Sequence, residues 1–189
     1  MKSIIFLSQK GLFGGINRNT TTHLPVDLAQ QTILKADNCH YSQINKITKH
    51  YDVCILLIPK TEQDRNSLYN LDIVAEGRKI ADKVWFMQEG PAWIFQDLPL
   101  HQQFWHYNVL AEVDGILCEN KTDIPYFQGI NPSIPVNDIT SLMITDSVQK
   151  ALSIKKENKV IIGGNFTRWY GGFDSFVTAR HLQVPIWAP

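Results

Sequence analysis

Two pairs of glycines flank an arginine in the stretch GGNFTRWYGGFD, residues 163–174. A turn needs one or two glycines, so a second pair indicates backbone that closely approaches a charged ligand. Gly164 ends an apolar run, and Gly171 and Gly172 begin a predicted helix at roughly 172–182. Backbone N–H groups at a helix start attract anions, and Arg168 can bind a phosphate through two parallel hydrogen bonds. The stretch therefore predicts a diphosphate site, and the alternative is a loop whose aromatic residues simply pack.

A second glycine-rich loop, QKGLFGGINRN at 9–19, follows the first apolar run of the chain. It contains neither the GxGxxG fingerprint of dinucleotide-binding proteins nor the GxxxxGK[ST] of a P-loop. One interpretation is that Gly14 and Gly15 let a substrate approach the backbone while Asn17 and Arg18 supply hydrogen bonds to it. The other is a flexible loop in which glycine provides positive φ angles.

Acidic and amide side chains follow two further apolar runs. Glu89 comes directly after KVWFMQ and could act as a general base or accept a sugar hydroxyl, and His101 in the next helical segment is a second catalytic candidate. Glu119 and Asn120 follow GILC and are candidates for substrate or donor binding, with a helix N-cap as the alternative. The aspartates form no DxD pair, and the cysteines and histidines show no metal-ligand spacing, so the predicted mechanism uses no metal.

The candidate site residues follow different apolar runs, so the fold must bring the ends of several of these runs together. The runs are continuous rather than alternating, as in strands covered on both faces, and lie at 3–8, 53–58, 83–88, 115–119 and 159–164. Helix-length segments separate them at 62–82 and 98–113. The second segment carries an apolar stripe that we expect to face the core, formed by Leu100, Phe104, Tyr107 and Ala111.

Strand and helix in succession predict an α/β fold, a Rossmann-like three-layer sandwich around a mostly parallel sheet. Ligands in such sheets bind beyond the carboxyl ends of the strands, where the candidate loops lie. A polar and basic stretch, SIKKEN at 153–158, is the predicted linker after a first domain at 1–152. Residues 159–189 are expected to form a strand, a helix and a short strand that open a second, incomplete domain.

Composition and charge limit the classes of partner. Lysine plus arginine equals aspartate plus glutamate at 18 each, so no long-range field favours nucleic acid or an anionic membrane. No apolar stretch reaches the roughly 20 residues of a membrane span, and the first apolar run is too short for a signal peptide. The three cysteines lack CxxC spacing and their odd number argues against a disulfide framework, which predicts buried thiols and a cytoplasmic location.

The order of these features resembles that of nucleotide-sugar glycosyltransferases of the two-Rossmann-domain (GT-B) type. The resemblance spans most of the chain and rests on three passages: KGLFGGINRN, EVDGILCENKTDIPYFQGINPSIPVND and VIIGGNFTRWYGGFDSF. It implies that the first domain binds an unidentified acceptor and the second a nucleotide-sugar donor, with no further cofactor. Many relatives have a second basic residue near the position of Gly171, so Arg168 is the main phosphate candidate in this chain.

Two alternatives stay open. A non-catalytic Rossmann-like or flavodoxin-like module would hold a nucleotide or another ligand in its glycine loops, and its residues 159–189 would complete the first sheet. A purely structural interaction domain would leave both glycine-rich loops without a role. The glycosyltransferase interpretation predicts instead that residues 159–189 stand apart from that sheet or dock in a homodimer. A chain with an incomplete donor domain is expected to have little transferase activity by itself.

Overall fold

The protein is represented by a computed structural model that describes residues 2–8, 35–59, 66, 68–88, 91–118, 120–139, 155, 157–162 and 172–187. The chain divides into two compact units, the first within 1–144 and the second within 145–189. Each unit contains its own parallel sheet.

The first unit is built on a six-stranded sheet in which every pair of neighbouring strands is parallel. Its strands are β1 Ile4–Ser8, β2 Asp37–His40, β3 Tyr51–Ile58, β4 Ala81–Gln88, β5 Gly115–Cys118 and β6 Val136–Asp138. Their order across the sheet is β2-β1-β3-β4-β5-β6. The described helices of this unit are α1 Ile73–Ile80, α2 Leu100–Glu112 and α3 Ile124–Ile130, with 3₁₀ segments at Tyr41–Lys46, Ala92–Phe95 and Lys121–Asp123.

Both faces of this sheet are buried, as the continuous apolar runs predict. Alternate residues of β1 illustrate this, because Ile5 and Leu7 belong to one buried cluster and Phe6 to the other. Helices α1, α2 and α3 pack on the first cluster, which we call the helical face, through Ile73, Val74, Val109, Leu110 and Phe127. The opposite face buries Phe6, Ile55, Leu57 and Met87. The prediction of a Rossmann-like three-layer α/β fold is confirmed.

The two short strands β2 and β6 were not predicted. Strand β2 has the sequence DNCH and β6 the sequence VND, so neither contains an apolar run. They pair along the outer edges of the sheet, where β2 lies next to β1 and β6 next to β5. Backbone pairing with a longer neighbour therefore holds these segments in the sheet.

The predicted helix at 62–82 is interrupted by a turn and ends earlier than predicted. Residues 68–70 form a turn, and α1 begins only at Ile73, where the Asp72 carboxylate accepts a hydrogen bond from the Ala75 amide at 3.0 Å as an N-cap. Ala81 and Asp82 already belong to β4. Helix and strand meet without a loop, which hydrophobic spacing does not indicate.

The predicted helix at 98–113 is confirmed as α2, but its predicted buried face is wrong. Leu100 is 69% exposed and Phe104 is 61% exposed. The buried residues of α2 are Gln102, His106, Val109 and Leu110. His106 decides the orientation, because its ring stacks on Phe95 at a centroid distance of 4.2 Å and contacts Phe86 edge to face at 5.4 Å.

The second unit contains strands β7 Val160–Ile161 and β8 Ile186–Trp187, with helix α4 Gly172–His181 between them. The two strands pair in parallel and form a two-stranded sheet separate from the sheet of the first unit. Ile162 and Ala179 are buried, whereas the paired Ile161 and Trp187 are more than half exposed. None of the helices in the described parts of the chain has the length and apolar character needed to cross a bilayer.

Candidate functional site

The topology of the sheet points to one edge as the place for a ligand. The chain passes from β1 to β2 on one side of β1, and later strands add on the other side, beginning with β3. Where the direction of winding reverses in this way, a crevice forms outside the carboxyl ends of the two central strands. Here those strands are β1 and β3, and β1 runs directly into the predicted glycine-rich loop.

Buried polar contacts hold the carboxyl ends of β1 and β3 in place. Ser8, the last residue of β1, is 2% exposed, and its hydroxyl donates to the Asn38 side-chain oxygen at 3.3 Å. The Tyr41 hydroxyl donates to the Leu57 carbonyl at 2.7 Å, which ties the segment after β2 to β3. Gly14, Gly15, Asn17 and Arg18 lie outside the described residues.

Two further loops at this edge are joined by a hydrogen bond that the sequence did not indicate. The Ala92 amide, after β4, donates to the Asp123 carboxylate, after β5, at 3.0 Å. Asp123 thus couples the loop that contains Glu89 to the loop that contains Asn120. Glu89 and Glu119 lie outside the described residues. The sequence signal that could have indicated this contact is the carboxylate of Asp123, three residues after Asn120 in the GILCENKTD passage.

Asn120 has the local structural role that the sequence left as an alternative. Its side-chain oxygen accepts a hydrogen bond from the Thr122 amide at 3.1 Å and caps the 3₁₀ segment Lys121–Asp123. The residue is exposed at the carboxyl edge of the sheet. The cap occupies the oxygen of the carboxamide and leaves the amide nitrogen as the group that can face a ligand.

The histidines of α2 occupy opposite environments. His101 is the second residue of the helix and is exposed, so it can reach a ligand only on the surface of the first unit. His106 is 1% exposed and packs between aromatic rings of the helical face. The buried histidine is therefore a packing residue, and His101 remains a catalytic candidate by sequence alone.

Two residues of the EVDGILCEN passage are explained by packing at the opposite, amino edge of the sheet. The Asp114 carboxylate accepts a hydrogen bond from the Val84 amide at 2.9 Å and pairs with Arg78 and Lys83, each at 3.2 Å. Burial alone would raise the pKa of Asp114, but the Val84 amide and the two cations outweigh it and lower that pKa. Asp114 thus fastens β5 to β4.

The glycine of the same passage makes room for an aromatic ring. Gly115 pairs with Trp85 across β5 and β4. A Cβ atom at position 115 would stand 2.7 to 2.8 Å from three atoms of the Trp85 indole. The requirement for glycine here comes from side-chain packing between neighbouring strands.

The three cysteines are free thiols and all are buried, as predicted. Burial raises the pKa of Cys39 to about 11 and that of Cys118 to about 12, and it also raises the pKa of Cys54. A thiol that stays protonated at neutral pH is a poor nucleophile and a poor metal ligand. Within the described residues, histidine, cysteine, aspartate and glutamate form no group of three able to hold a metal ion.

In the second unit, the predicted diphosphate loop leads into α4. Gly172 is the first residue of this helix, as predicted, while Gly164, Arg168 and Gly171 lie outside the described residues. The first turn of α4 contains the exposed carboxylate of Asp174. A negative charge there already complements the helix dipole, and it opposes the approach of a second anion.

Comparison of the chain with known protein families, curated proteins and solved structures found no significant match. Support for a function therefore comes from the topology, from the placement of the candidate residues and from their chemistry.

Proposed function

We propose that the protein is a metal-independent glycosyltransferase of the two-Rossmann-domain type, which transfers a sugar from a nucleotide-sugar donor to an acceptor. The observation that carries the proposal is the separation of the two sheets. Strands β7 and β8 pair with each other and not with the six-stranded sheet of the first unit. A single-domain binding module would use residues 159–189 to complete the first sheet, whereas a second Rossmann-like domain begins a sheet of its own.

The elements of the second unit support donor binding there. A parallel strand, a loop of two glycine pairs with an arginine, and a helix follow one another from β7 to α4. In this arrangement the helix start and Arg168 stabilise the negative charge that develops on a departing diphosphate, which removes the need for a metal.

The carboxyl edge of the first unit supports acceptor binding. The loops after β1, β4 and β5 supply Arg18, Glu89 and Glu119, and the Ala92–Asp123 hydrogen bond holds the last two loops together. In the proposed reaction Glu89 takes the proton of the acceptor hydroxyl as a general base. His101 is the second candidate for that role.

A second candidate function is a nucleotide-binding or other ligand-binding module without catalysis. The order β2-β1-β3-β4-β5 is that of flavodoxin-like proteins, which bind a ligand at the β1/β3 crevice. In this case the ligand contacts the loop that contains Gly14 and Arg18, and the second unit takes no part in binding.

A thermal-shift panel of UDP-, GDP-, ADP- and TDP-sugars tests the proposal. We expect at least one of them to raise the melting temperature, and Arg168→Ala to abolish that rise. Arg180→Ala is the matched control, because Arg180 is an exposed cation in the last turn of α4, away from the helix start. Asp174→Asn should increase the rise, because it removes a negative charge from the first turn.

The same panel separates the two candidate functions. If the melting temperature still rises in Arg168→Ala but no longer rises in Arg18→Ala, the ligand binds to the first unit. The non-catalytic binding module is then the function, and the glycosyltransferase proposal is rejected. The absence of any shift with all four nucleotide-sugars would reject donor binding by this chain. Any transfer is then measured as nucleoside diphosphate released in the presence of candidate acceptors, and Glu89→Gln is expected to abolish whatever release the wild-type chain shows.

A further inference from the structure

A groove of about 320 Å³ lies on the first unit between residues 69–74 and the second half of α2. Its lining consists of Tyr69, Asn70, Leu71, Asp72, Ile73, Val74, Trp105, Asn108, Val109 and Glu112. None of the residues considered so far for catalysis or donor binding belongs to it. Its volume is at the lower end of the range for small-ligand sites.

Two aromatic rings of the groove are fixed by their own polar groups. Tyr69 and Trp105 meet edge to face, with centroids 5.2 Å apart and an interplanar angle of 89°. The Trp105 indole N–H donates to the Leu71 carbonyl at 3.3 Å, and the Tyr69 hydroxyl donates to the Gln102 side-chain oxygen at 3.1 Å. These hydrogen bonds and the edge-to-face contact fix the orientation of both rings, and the indole of Trp105 contributes aromatic carbon surface to the lining of the groove.

The charged groups of the groove all have the same sign. Asp72 and Glu112 are the two carboxylate residues of its lining, and neither forms an ion pair with another described residue. Asp72 uses one carboxylate oxygen to cap α1 through the Ala75 amide. Arg78, which contacts the Glu112 backbone carbonyl, pairs with Asp114 instead.

We propose that this groove binds an alkylammonium group. A cation with alkyl substituents is attracted to the face of an indole ring, and two carboxylates that pair with no cation among the described residues add to this attraction. An anionic ligand would be repelled by both carboxylates. A neutral ligand of the same shape would gain only the ring contacts, so charge is the property by which this site selects.

Choline and a short glycine-flanked peptide containing trimethyllysine are the probes, titrated into the full chain by isothermal calorimetry. They carry the same trimethylammonium group and distinguish a free small molecule from a side chain of a partner. The neutral probe is 3,3-dimethylbutan-1-ol, which has the shape of choline without its charge. We expect at least one cationic probe to bind, and the neutral probe to bind at least about 5-fold more weakly.

Variants assign the binding to the groove. Asp72→Asn, which keeps an N-capping side chain, and Glu112→Gln should each weaken the cation about 3- to 5-fold, and Trp105→Leu should do so by more. Asp97→Asn, at an exposed carboxylate outside the groove, is the matched control and should leave the affinity unchanged. The proposal would be overturned if the neutral probe bound as tightly as the cations, or if Asp72→Asn and Glu112→Gln left the affinity unchanged. It would also be overturned if neither cationic probe gave heat at 20 mM, which is about 20 times a weak Kd of 1 mM.

Discussion

Gly115→Ala tests whether packing explains the glycine of the EVDGILCEN passage. Gly115 lies in β5 opposite Trp85 of β4. The new methyl carbon would stand 2.7 Å from the nearest indole atom, against the 3.4 Å at which ordinary contact begins, so the ring must retreat by about 0.7 Å. Trp85 is half-buried and packs against the cluster on the opposite face of the sheet, which includes Met87 and Leu57.

The expected magnitude follows from two opposing effects. Overpacking of this kind costs about 1 to 3 kcal/mol, because the ring and its neighbours must shift. Alanine is better suited than glycine to a strand interior by about 0.5 to 1 kcal/mol, and Gly115 has no positive φ angle that would penalise a side chain. The free energy of unfolding should therefore fall, by at most about 2.5 kcal/mol.

A double-mutant cycle with Trp85→Leu separates the two effects. Once the indole is replaced, Gly115→Ala should become stabilising by about 0.5 to 1 kcal/mol, so that the sign of its effect changes. Urea titration followed by far-UV circular dichroism gives the four unfolding free energies. The packing explanation would be refuted if Gly115→Ala had the same cost in both backgrounds, or if it stabilised the protein in the wild-type background.

Two further predictions concern stability. Asp114→Asn should lower the unfolding free energy by about 1 to 2 kcal/mol at pH 7, because the charged acceptor of the Val84 amide is lost. Since the pKa of Asp114 is lowered by folding, this difference should be present above about pH 4 and shrink as the pH falls through the folded-state pKa, as pH-dependent urea titrations would reveal. Phe95→Ala should cost about 3 to 5 kcal/mol and Phe104→Ala less than about 0.5, measured by thermal denaturation; equal costs would contradict the observed orientation of α2.

The long strands of the first unit could be predicted because burial on both faces requires continuous apolar sequence. Strands β3 and β4 each contain such a run, and both were found from it. The segment DNCH of β2 contains no such run, and it is a strand because β1 offers it a parallel partner. That pairing partner is distant in sequence, so no local pattern could indicate it.

The buried face of α2 could not be predicted from spacing. Leu100, Phe104, Tyr107 and Ala111 satisfy helical periodicity, and so does the buried set of Gln102, His106, Val109 and Leu110. The deciding interaction is the stacking of His106 on Phe95, a residue of the preceding 3₁₀ segment. A polar aromatic side chain counts as hydrophilic in a periodicity argument, although its ring packs well among phenylalanines.

The residues of the candidate site, like the buried face of α2, could be predicted from the sequence only in part. The carboxyl ends of β1, β3 and β4 lie where the apolar runs of the sequence end. The sequence did not distinguish residues that face a ligand from residues that fasten the sheet. Asp114 and Gly115 occur in a passage that resembles a glycosyltransferase motif, yet their contacts are with β4 and its neighbours. Such roles depend on cross-strand neighbours that spacing does not reveal.

The burial of all three native thiols makes the protein suited to selective labelling. At pH 7.5 a group with a pKa of about 11 is almost entirely protonated, so Cys39 reacts slowly with maleimides while it stays buried. A cysteine introduced at an exposed position of each unit, such as Asp97 in the first and Arg180 in the second, would react far faster than the native ones. Fluorophores attached there would report the distance between the units, and any change in it when a nucleotide-sugar is added.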